Sequence, residues 1–322
     1  MDTGLSGTYV VYKNWYEKTY GKDACKQFPK GCYSCPGSCN PYAEEKHLTT
    51  FEDGTTMTSV LHQGTLVIGK HQLSMQFSLI IDFKPLPSNP EQKPENYIGL
   101  ALTSRSNPQT VTSELYNKKI IKKYALSICS PGDVMSFTGA VIFGDWNGLC
   151  GIKSTVTTIP MTQPHRHPAI DSRLLSYGLV SPTGKTFTLQ VQQIPAIYDT
   201  GTFSIALPKS IFDTLLENIP SMAGPGVEVK FIRGIWRITD KGYSSLPTLT
   251  FSVGDLQRPL IIRIPPKKYT MLCDGKWCAL TITSYDGSDV ILGRPYLTTY
   301  FSSYDLKPLT VSMAEYASGK KA

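Results

Sequence analysis

The 322 residues exceed what one hydrophobic core usually organises, which predicts two lobes or domains. The net charge of +7 is spread thinly, and its densest cluster, Lys118, Lys119, Lys122 and Lys123, is typical of the solvated face of a helix. We therefore expect no nucleic-acid partner, and because no apolar window is long enough to span a bilayer, we expect no membrane association.

The composition favours a mostly β protein. The chain contains 26 Gly and 23 Pro, and its apolar runs are short, as in proteins that consist of many strands joined by tight turns. In the first half, residues 49–69 predict two strands around the turn dipeptide Asp53-Gly54. Apolar alternation then predicts a strand through Met75, Phe77, Leu79 and Ile81. A helix is predicted over residues 113–124, with Ser113 as its N-cap.

The second half carries the clearest helical pattern. Residues 208–219 place five apolar side chains on one face at three- and four-residue spacing: Ile211, Phe212, Leu215, Leu216 and Ile219. Strands are predicted around 227–236, 249–253, 260–264, 279–282 and 289–292. We place the lobe boundary in the polar region before this half, which predicts lobes of residues 1–155 and 156–322.

Eight cysteines fall in three local groups, which are Cys25, Cys32, Cys35 and Cys39, then Cys129 and Cys150, then Cys273 and Cys278. Four disulfides explain all eight residues, and the pairing within the first group stays open. A four-thiolate zinc site in the first group is the alternative. Disulfides imply an oxidising compartment. The pair His165 and His167 lacks a third ligand nearby, so we expect no metal there.

A short internal repeat carries more information than the composition. Asp2-Thr3-Gly4 is echoed by Asp199-Thr200-Gly201. Each triplet is followed downstream by two apolar residues and a glycine, Tyr97-Ile98-Gly99 in the first half and Ile291-Leu292-Gly293 in the second. One such triplet is an ordinary turn sequence, whereas two in the same order predict two related lobes.

With these motifs the chain resembles the pepsin-like aspartic peptidases from Asp2 to Ala314, most closely over Ile197–Thr202. The resemblance implies a mostly β, two-lobed acid protease fold with a central active-site cleft. It also implies a hydrolase, an aspartic endopeptidase in which Asp2 and Asp199 activate a water molecule. An extended peptide or protein would be the substrate, with no cofactor, in a monomer of an extracellular or lysosome-like compartment.

The resemblance assigns supporting roles within both triplets. Gly4 and Gly201 let the backbone approach the carboxylates, while the hydroxyls of Thr3 and Thr200 lock the loops. Thr202 matches the position whose hydroxyl contacts its aspartate. Its counterpart in the first motif is Leu5, which has no hydroxyl, so we expect the two carboxylates to be unequal.

Three further positions depart from the family pattern. The hairpin of Phe51, Asp53 and Gly54 resembles the flap that closes over substrate, with Phe51 at a position that is usually Tyr. In the family, the flap Tyr contacts a Trp, and Tyr9 occupies the position of that Trp in this chain. We expect Phe51 and Tyr9 to keep an aromatic contact. Arg294 stands where an Asp usually follows the second apolar-Gly element, which removes or reverses a polar contact there.

The chain begins close to its first aspartate, and its first residues do not form a signal peptide. Since the family has a strand before that aspartate, we expect an N-terminally truncated chain with an incomplete N-terminal lobe. Asp2 would then fray, and activity would be weak. The alternative function is therefore a catalytically weak or inactive pepsin-like protein that binds peptides or proteins, and a zinc-stabilised interaction module is a third reading.

Overall fold

The computed structural model describes residues 1–28, 30–37, 39–51, 54–87, 89–104, 109–146, 148, 150–152, 155–162, 168–241 and 243–317. The chain divides into two compact units, residues 1–120 and 121–322. Both units consist mainly of strands, as the sequence predicts. Within the described residues, no helix is long and apolar enough to cross a membrane.

Within its described residues, the first unit holds five strands and three α-helices. Its strands are β1 (Thr8–Val11), β2 (Lys46–Thr50), β3 (Thr56–Ile68), β4 (His71–Lys84) and β5 (Tyr97–Ile98). Its helices are α1 (Lys13–Tyr20), α2 (Ala24–Gln27) and α3 (Val111–Asn117), with a 3-10 turn at Pro41–Ala43.

These strands form one sheet in the order β2-β3-β4-β1-β5. The long β3–β4 hairpin turns over two residues between Ile68 and His71, and Gly69 there adopts a φ of 57°, which L side chains rarely adopt. Strand β1 runs parallel to β4 and antiparallel to β5. Strand β1 therefore lies between two neighbours, one strand from the edge of the sheet.

Helix α3 differs from the helix predicted over residues 113–124. It begins after Thr110, whose side chain accepts a hydrogen bond from the Ser113 backbone N–H at 3.1 Å. The Ser113 hydroxyl in turn accepts from the Thr110 N–H at 2.9 Å, so Ser113 completes a capping box and is not the N-cap. Lys119 adopts a left-handed φ of 58°, so the lysine cluster lies beyond the helix.

The second unit contains the remaining strands and helices of the described chain. Its strands are β6 (Ala125–Cys129), β7 (Ala140–Phe143), β8 (Thr157–Pro160), β9 (Asp171–Val180), β10 (Thr186–Gln190), β11 (Pro195–Tyr198), β12 (Ile205–Pro208), β13 (Val229–Ile232), β14 (Ile235–Thr239), β15 (Thr248–Gly254), β16 (Pro259–Ile264), β17 (Thr270–Met271), β18 (Trp277–Leu280), β19 (Ile282–Tyr285), β20 (Val290–Leu292), β21 (Tyr300–Asp305) and β22 (Thr310–Glu315). Its helices are α4 (Lys209–Ala223), α5 (Pro266–Tyr269) and α6 (Arg294–Leu297), with a 3-10 turn at Tyr243–Ser245.

The part of this unit that the structure describes forms three sheets. The largest has the order β16-β15-β9-β11-β20-β12-β19, with β10 paired to β9. A second has the order β13-β14-β18-β17, and a third the order β7-β6-β21-β22-β8. Because β6 and β7 join β21 in the third sheet, the compact division falls earlier than the predicted boundary between residues 155 and 156. Lobes of 1–155 and 156–322 stay a prediction.

Helix α4 confirms the strongest helical prediction and extends it to Ala223. Its five predicted apolar residues are buried, and Met222 joins them. Burial of each such side chain is worth about 1.5–3 kcal/mol, which outweighs the helix-breaking tendency of Pro220 inside the last turn. The helix ends at Gly224, which adopts a φ of 96°.

All eight cysteines form disulfides, as predicted. The pairs are Cys25–Cys32, Cys35–Cys39, Cys129–Cys150 and Cys273–Cys278. The first group therefore pairs between sequence neighbours, which the spacing alone had left open. Because each sulfur is bonded to its partner, none offers the thiolate that the alternative zinc site requires.

Candidate active site

The Asp199 loop follows the central strand β11 of the largest sheet. The Asp199 N–H donates to the Leu292 carbonyl at 3.2 Å, which continues the parallel pairing of β11 with β20. The Gly201 N–H donates to Asp199 Oδ1 at 2.7 Å, and the Thr202 hydroxyl donates to Asp199 Oδ2 at 2.5 Å. Both carboxylate oxygens are therefore held, and the contact predicted for Thr202 is present.

The Asp2 loop of the first unit repeats two of these contacts, the bond from the aspartate N–H to the apolar-Gly element and the bond from the glycine N–H to the carboxylate. The Asp2 N–H donates to the Ile98 carbonyl at 2.9 Å, and the Leu100 N–H donates to the Asp2 carbonyl at 2.7 Å. The Gly4 N–H donates to Asp2 Oδ1 at 2.9 Å. Asp2 is thus tied to the β5 segment by its own backbone, and the fraying expected for it stays a prediction.

The glycine of each apolar-Gly element explains why the two loops match. A Cβ on Gly293 would lie 2.3 Å from the carbonyl oxygens of both Thr202 and Ser204. A Cβ on Gly99 would lie 2.5 Å from the Leu5 carbonyl oxygen and 2.3 Å from that of Gly7. In each unit the close neighbours are therefore the third and fifth residues after the aspartate, which only glycine allows.

Side chains at these two positions differ between the loops. Thr202 and Ser204 carry hydroxyls, and the Ser204 hydroxyl lies 2.8 Å from that of Thr283. The equivalent residues Leu5 and Gly7 have none. Thr3 and Thr200 are both buried, and the locking role of their hydroxyls stays a prediction. The backbone contacts to the glycine are repeated, whereas the hydroxyl side chains at these two positions are not.

Arg294 occupies the position after Gly293 without forming an ion pair in the described part of the chain. Its backbone N–H donates to the Thr202 carbonyl at 3.1 Å. Its guanidinium lies 5.0 Å from the ring centre of Phe203 and 5.2 Å from that of Phe137. Burial lowers the pKa of this guanidinium. Aromatic contacts have replaced the polar contact that an Asp would supply.

The predicted hairpin around Gly54 is present, although Asp53 lies outside the described residues. Strands β2 and β3 pair antiparallel up to Thr50 and Thr56, and the Phe51 N–H donates to the Thr55 carbonyl at 2.9 Å. The Phe51 ring centre lies 5.9 Å from that of Tyr97. Tyr9 is buried in the core cluster against which both rings pack, and a direct contact between Phe51 and Tyr9 stays a prediction. A role in closing over substrate stays a prediction for Phe51 and Gly54.

Comparison with known proteins decides the family. The family model described as eukaryotic aspartyl protease matches residues 1–316. The chain belongs to this family. It is 25% identical to the aspartic proteinase yapsin-3 of Saccharomyces cerevisiae over 197 residues, which are 59% of this chain and 37% of yapsin-3. It is 28% identical to gastricsin of Mus musculus over 187 residues, which are 55% of this chain and 42% of gastricsin. The match thus spans less than half the length of either relative.

In this member of the aspartyl protease family, the Asp199 loop rests on buried tyrosines that the sequence analysis missed. Tyr198 is fully buried, and its hydroxyl lies 2.5 Å from that of Ser172. Its ring centre is 5.0 Å from that of Tyr296 and 6.1 Å from that of Tyr304. Burial raises the pKa of Tyr198, so its phenol stays neutral. In the sequence, the signal for this aromatic support is the tyrosine that directly precedes the second triplet.

Asp171, the first residue of β9, was also missed. In the pairing of β9 with β11, Asp171 lies opposite Ile197, and Ile197 is two residues before Asp199 in the chain. Burial, with a smaller effect from the charge of Asp289, raises the pKa of Asp171 to about 7. No spacing in the sequence links Asp171 to Asp289, and only the sheet brings them near each other.

Proposed function

We propose that this chain is an aspartic endopeptidase and that Asp2 and Asp199 together carry its chemistry. The observation behind the proposal is the repeated loop. In both units the aspartate N–H donates to a carbonyl of the apolar-Gly element, and the aspartate carboxylate accepts a hydrogen bond from the N–H two residues later. In both units the carbonyls of the third and fifth residues after the aspartate also lie against the glycine of that element. Chance turn sequences do not reproduce four contacts at equal offsets.

The chemistry needs one acid and one base. Two carboxylates that act on one water molecule cannot both be ionised, because like charges at short range repel. The ionised carboxylate takes a proton from water as it attacks the peptide carbonyl, and the protonated one donates its proton to the carbonyl oxygen. The product is a tetrahedral intermediate that is not bonded to the protein. The carboxyl that took the proton from water passes it to the amide nitrogen, and the other carboxylate regains its proton from a hydroxyl of the intermediate as the C–N bond breaks and releases the two peptide fragments. The shared proton belongs to the pair of aspartates.

The residues around each aspartate divide the work of positioning. Gly201 and Thr202 fix the Asp199 carboxylate through both oxygens, and Gly4 binds one oxygen of Asp2. We propose an extended peptide as substrate, with Phe51 and Gly54 on the hairpin that covers it. The four disulfides suit an oxidising setting, which supports an extracellular or lysosome-like compartment. We expect the protein to act as a monomer.

One observation favours a second function, peptide or protein binding without efficient cleavage. Leu5 and Gly7 stand where the second loop has Thr202 and Ser204, so the first loop lacks two hydroxyls. Of these two hydroxyls, that of Thr202 contacts a carboxylate, and a hydrogen bond to a charged group is worth about 1.5–3 kcal/mol. The absence of such a hydroxyl at Leu5 is therefore enough to weaken catalysis.

The test is cleavage of an unfolded protein at acid and at neutral pH. Asp2→Asn and Asp199→Asn should each abolish cleavage, because each removes one member of the acid-base pair. Asp286→Asn makes the same change at an exposed position outside both loops and should cleave like the unaltered protein. Cleavage that survives Asp199→Asn would refute the proposal. An inactive unaltered chain that still binds the peptide would favour the second function.

A further inference from the structure

The second unit contains a cavity of about 380 Å³ whose walls carry an excess of positive charge. Three cationic side chains line it: Arg263 from β16, and Lys267 and Lys268 from α5. Glu315 is the acidic residue in the lining. No residue of the Asp199 loop belongs to this lining, so the cavity calls for its own explanation.

Lys268 shows how its positive charge is held in place. Its Nζ donates to the Gly132 carbonyl at 2.7 Å and to the Thr298 carbonyl at 2.9 Å. Thr298 is the C-cap residue of α6, and carbonyl oxygens at the C-terminal end of a helix have no hydrogen-bond partner within the helix. Burial and the neighbouring Lys267 lower the pKa of Lys268, and Asp133 opposes this effect only in part. An ammonium group has three N–H donors, so one remains.

The other cations of the cavity are not neutralised by the protein. In the part of the chain that the structure describes, Arg263, Lys267 and Lys268 form no ion pair. Arg263 and Lys267 are exposed at the cavity. Glu315 accepts a hydrogen bond from the Tyr300 hydroxyl at 2.9 Å. Three positive groups around one cavity repel one another, and this arrangement is stabilised when an anion binds.

The polar side chains beside these cations leave few other donors. The Thr298 hydroxyl donates to the Arg294 carbonyl at 2.8 Å, and the Thr299 hydroxyl donates to the Pro295 carbonyl at 2.7 Å. Their protons are therefore already in use. Among the cationic side chains of the lining, the donors left for a ligand in the described residues are those of the two exposed cations and the third N–H of Lys268, and the Thr248 hydroxyl also lines the cavity. Such a set binds an oxyanion with several acceptor oxygens, since a guanidinium and ammonium groups match phosphate well.

We propose that this cavity binds a small multivalent oxyanion of the phosphate class, either free phosphate or a phosphate ester. Three cations against one carboxylate leave a net charge that a dianion neutralises. The cavity is larger than a phosphate ion, so an ester with a small organic group also fits. This site does not depend on the proposed peptidase activity, because binding is measured without any substrate.

The experiment is calorimetric titration of the whole chain with inorganic phosphate, with glycerol 3-phosphate and with sodium chloride at equal ionic strength. Phosphate or its ester should bind at one site per chain, and chloride should not. Arg263→Gln/Lys267→Gln removes two exposed cations while Lys268 keeps its carbonyl contacts. This variant should bind at least about tenfold more weakly, because it loses charge-assisted hydrogen bonds.

A matched variant separates this site from the general positive charge of the protein. Lys185→Gln/Lys276→Gln removes the same charge from two exposed positions of the same unit that are not in the cavity lining. It should bind phosphate like the unaltered protein. Equal weakening in both double variants, or no difference between phosphate and chloride, would overturn the proposal. Tighter binding of the ester than of inorganic phosphate would support it and assign the rest of the cavity to the organic group.

Discussion

Replacing Gly293 with alanine tests whether close backbone contact shapes the Asp199 loop. The new Cβ would lie 2.3 Å from the carbonyl oxygens of Thr202 and Ser204, whereas real Cβ atoms essentially never come within 3.0 Å of another heavy atom. Both neighbours are backbone atoms, and the Thr202 carbonyl is also held by the Arg294 N–H. The loop must therefore move by more than about half an ångström, and overpacking of this kind costs about 1–3 kcal/mol.

Urea unfolding followed by tryptophan fluorescence measures that cost. Three of the four tryptophans, Trp146, Trp236 and Trp277, report on the second unit. Gly293→Ala should lower the free energy of unfolding by about 2–3 kcal/mol, near the upper end of the range, because no flexible side chain can give way.

Gly132→Ala is the control for this change, since the nearest atom to its new Cβ is the Thr138 oxygen at 4.0 Å. It should change stability by less than about 1 kcal/mol. Displacement of Asp199 in Gly293→Ala should also reduce kcat/KM by about a hundredfold, if cleavage depends on this carboxylate. Equal stability of the two variants would show that the loop is not shaped by the glycine contact.

Two further predictions concern single side chains. Thr202→Val removes the hydroxyl that contacts Asp199 and should reduce kcat/KM by about ten- to a hundredfold in the cleavage assay, while Thr202→Ser should retain most activity; equal rates would contradict a role for this bond. The pKa of Asp171 is raised to about 7 from an ordinary value of 3.8. The folded protein therefore holds this proton more tightly than the unfolded chain, and the resulting stabilisation is fully present below about pH 4. It amounts to as much as ~4 kcal/mol and is lost as the pH rises through about 7. Asp171→Asn should flatten the decline of the urea midpoint between acid and neutral pH, and an unchanged slope would assign the decline to other groups.

Features that depend on local sequence were predictable. The hairpin at Gly54 follows from a turn residue that accepts positive φ, and it forms with a φ of 88° at Gly54. Helix α4 follows from one apolar face, which is buried against the rest of its unit. The two aspartate loops were predictable because the same backbone contacts demand the same residue types, so the repeat in structure leaves a repeat in sequence.

Features that depend on contacts between distant segments were not predictable. The boundary of the compact units is set by the pairing of β6 with β21, and the sequence of β6 does not indicate which strand it pairs with. Helix α3 was misplaced because Thr110 and Ser113 are both good caps, and only the reciprocal hydrogen bonds decide between them. The cavity likewise joins Lys268 to the Gly132 carbonyl, two groups that are far apart in the chain.

The two aspartate loops separate what the backbone requires from what the side chains contribute. At Gly99 and Gly293 only glycine fits, because a Cβ would lie at nearly the same short distances from two carbonyl oxygens in each loop. Any substitution at these positions therefore moves the loop in its unit. The third position after the aspartate is not constrained in this way, because Leu5 and Thr202 both fit while presenting their carbonyls to the glycine. The hydroxyl of Thr202 is therefore a chemical addition to a scaffold that stands without it. Substitutions at this position should change catalysis more than stability, whereas substitutions at the glycine should change both.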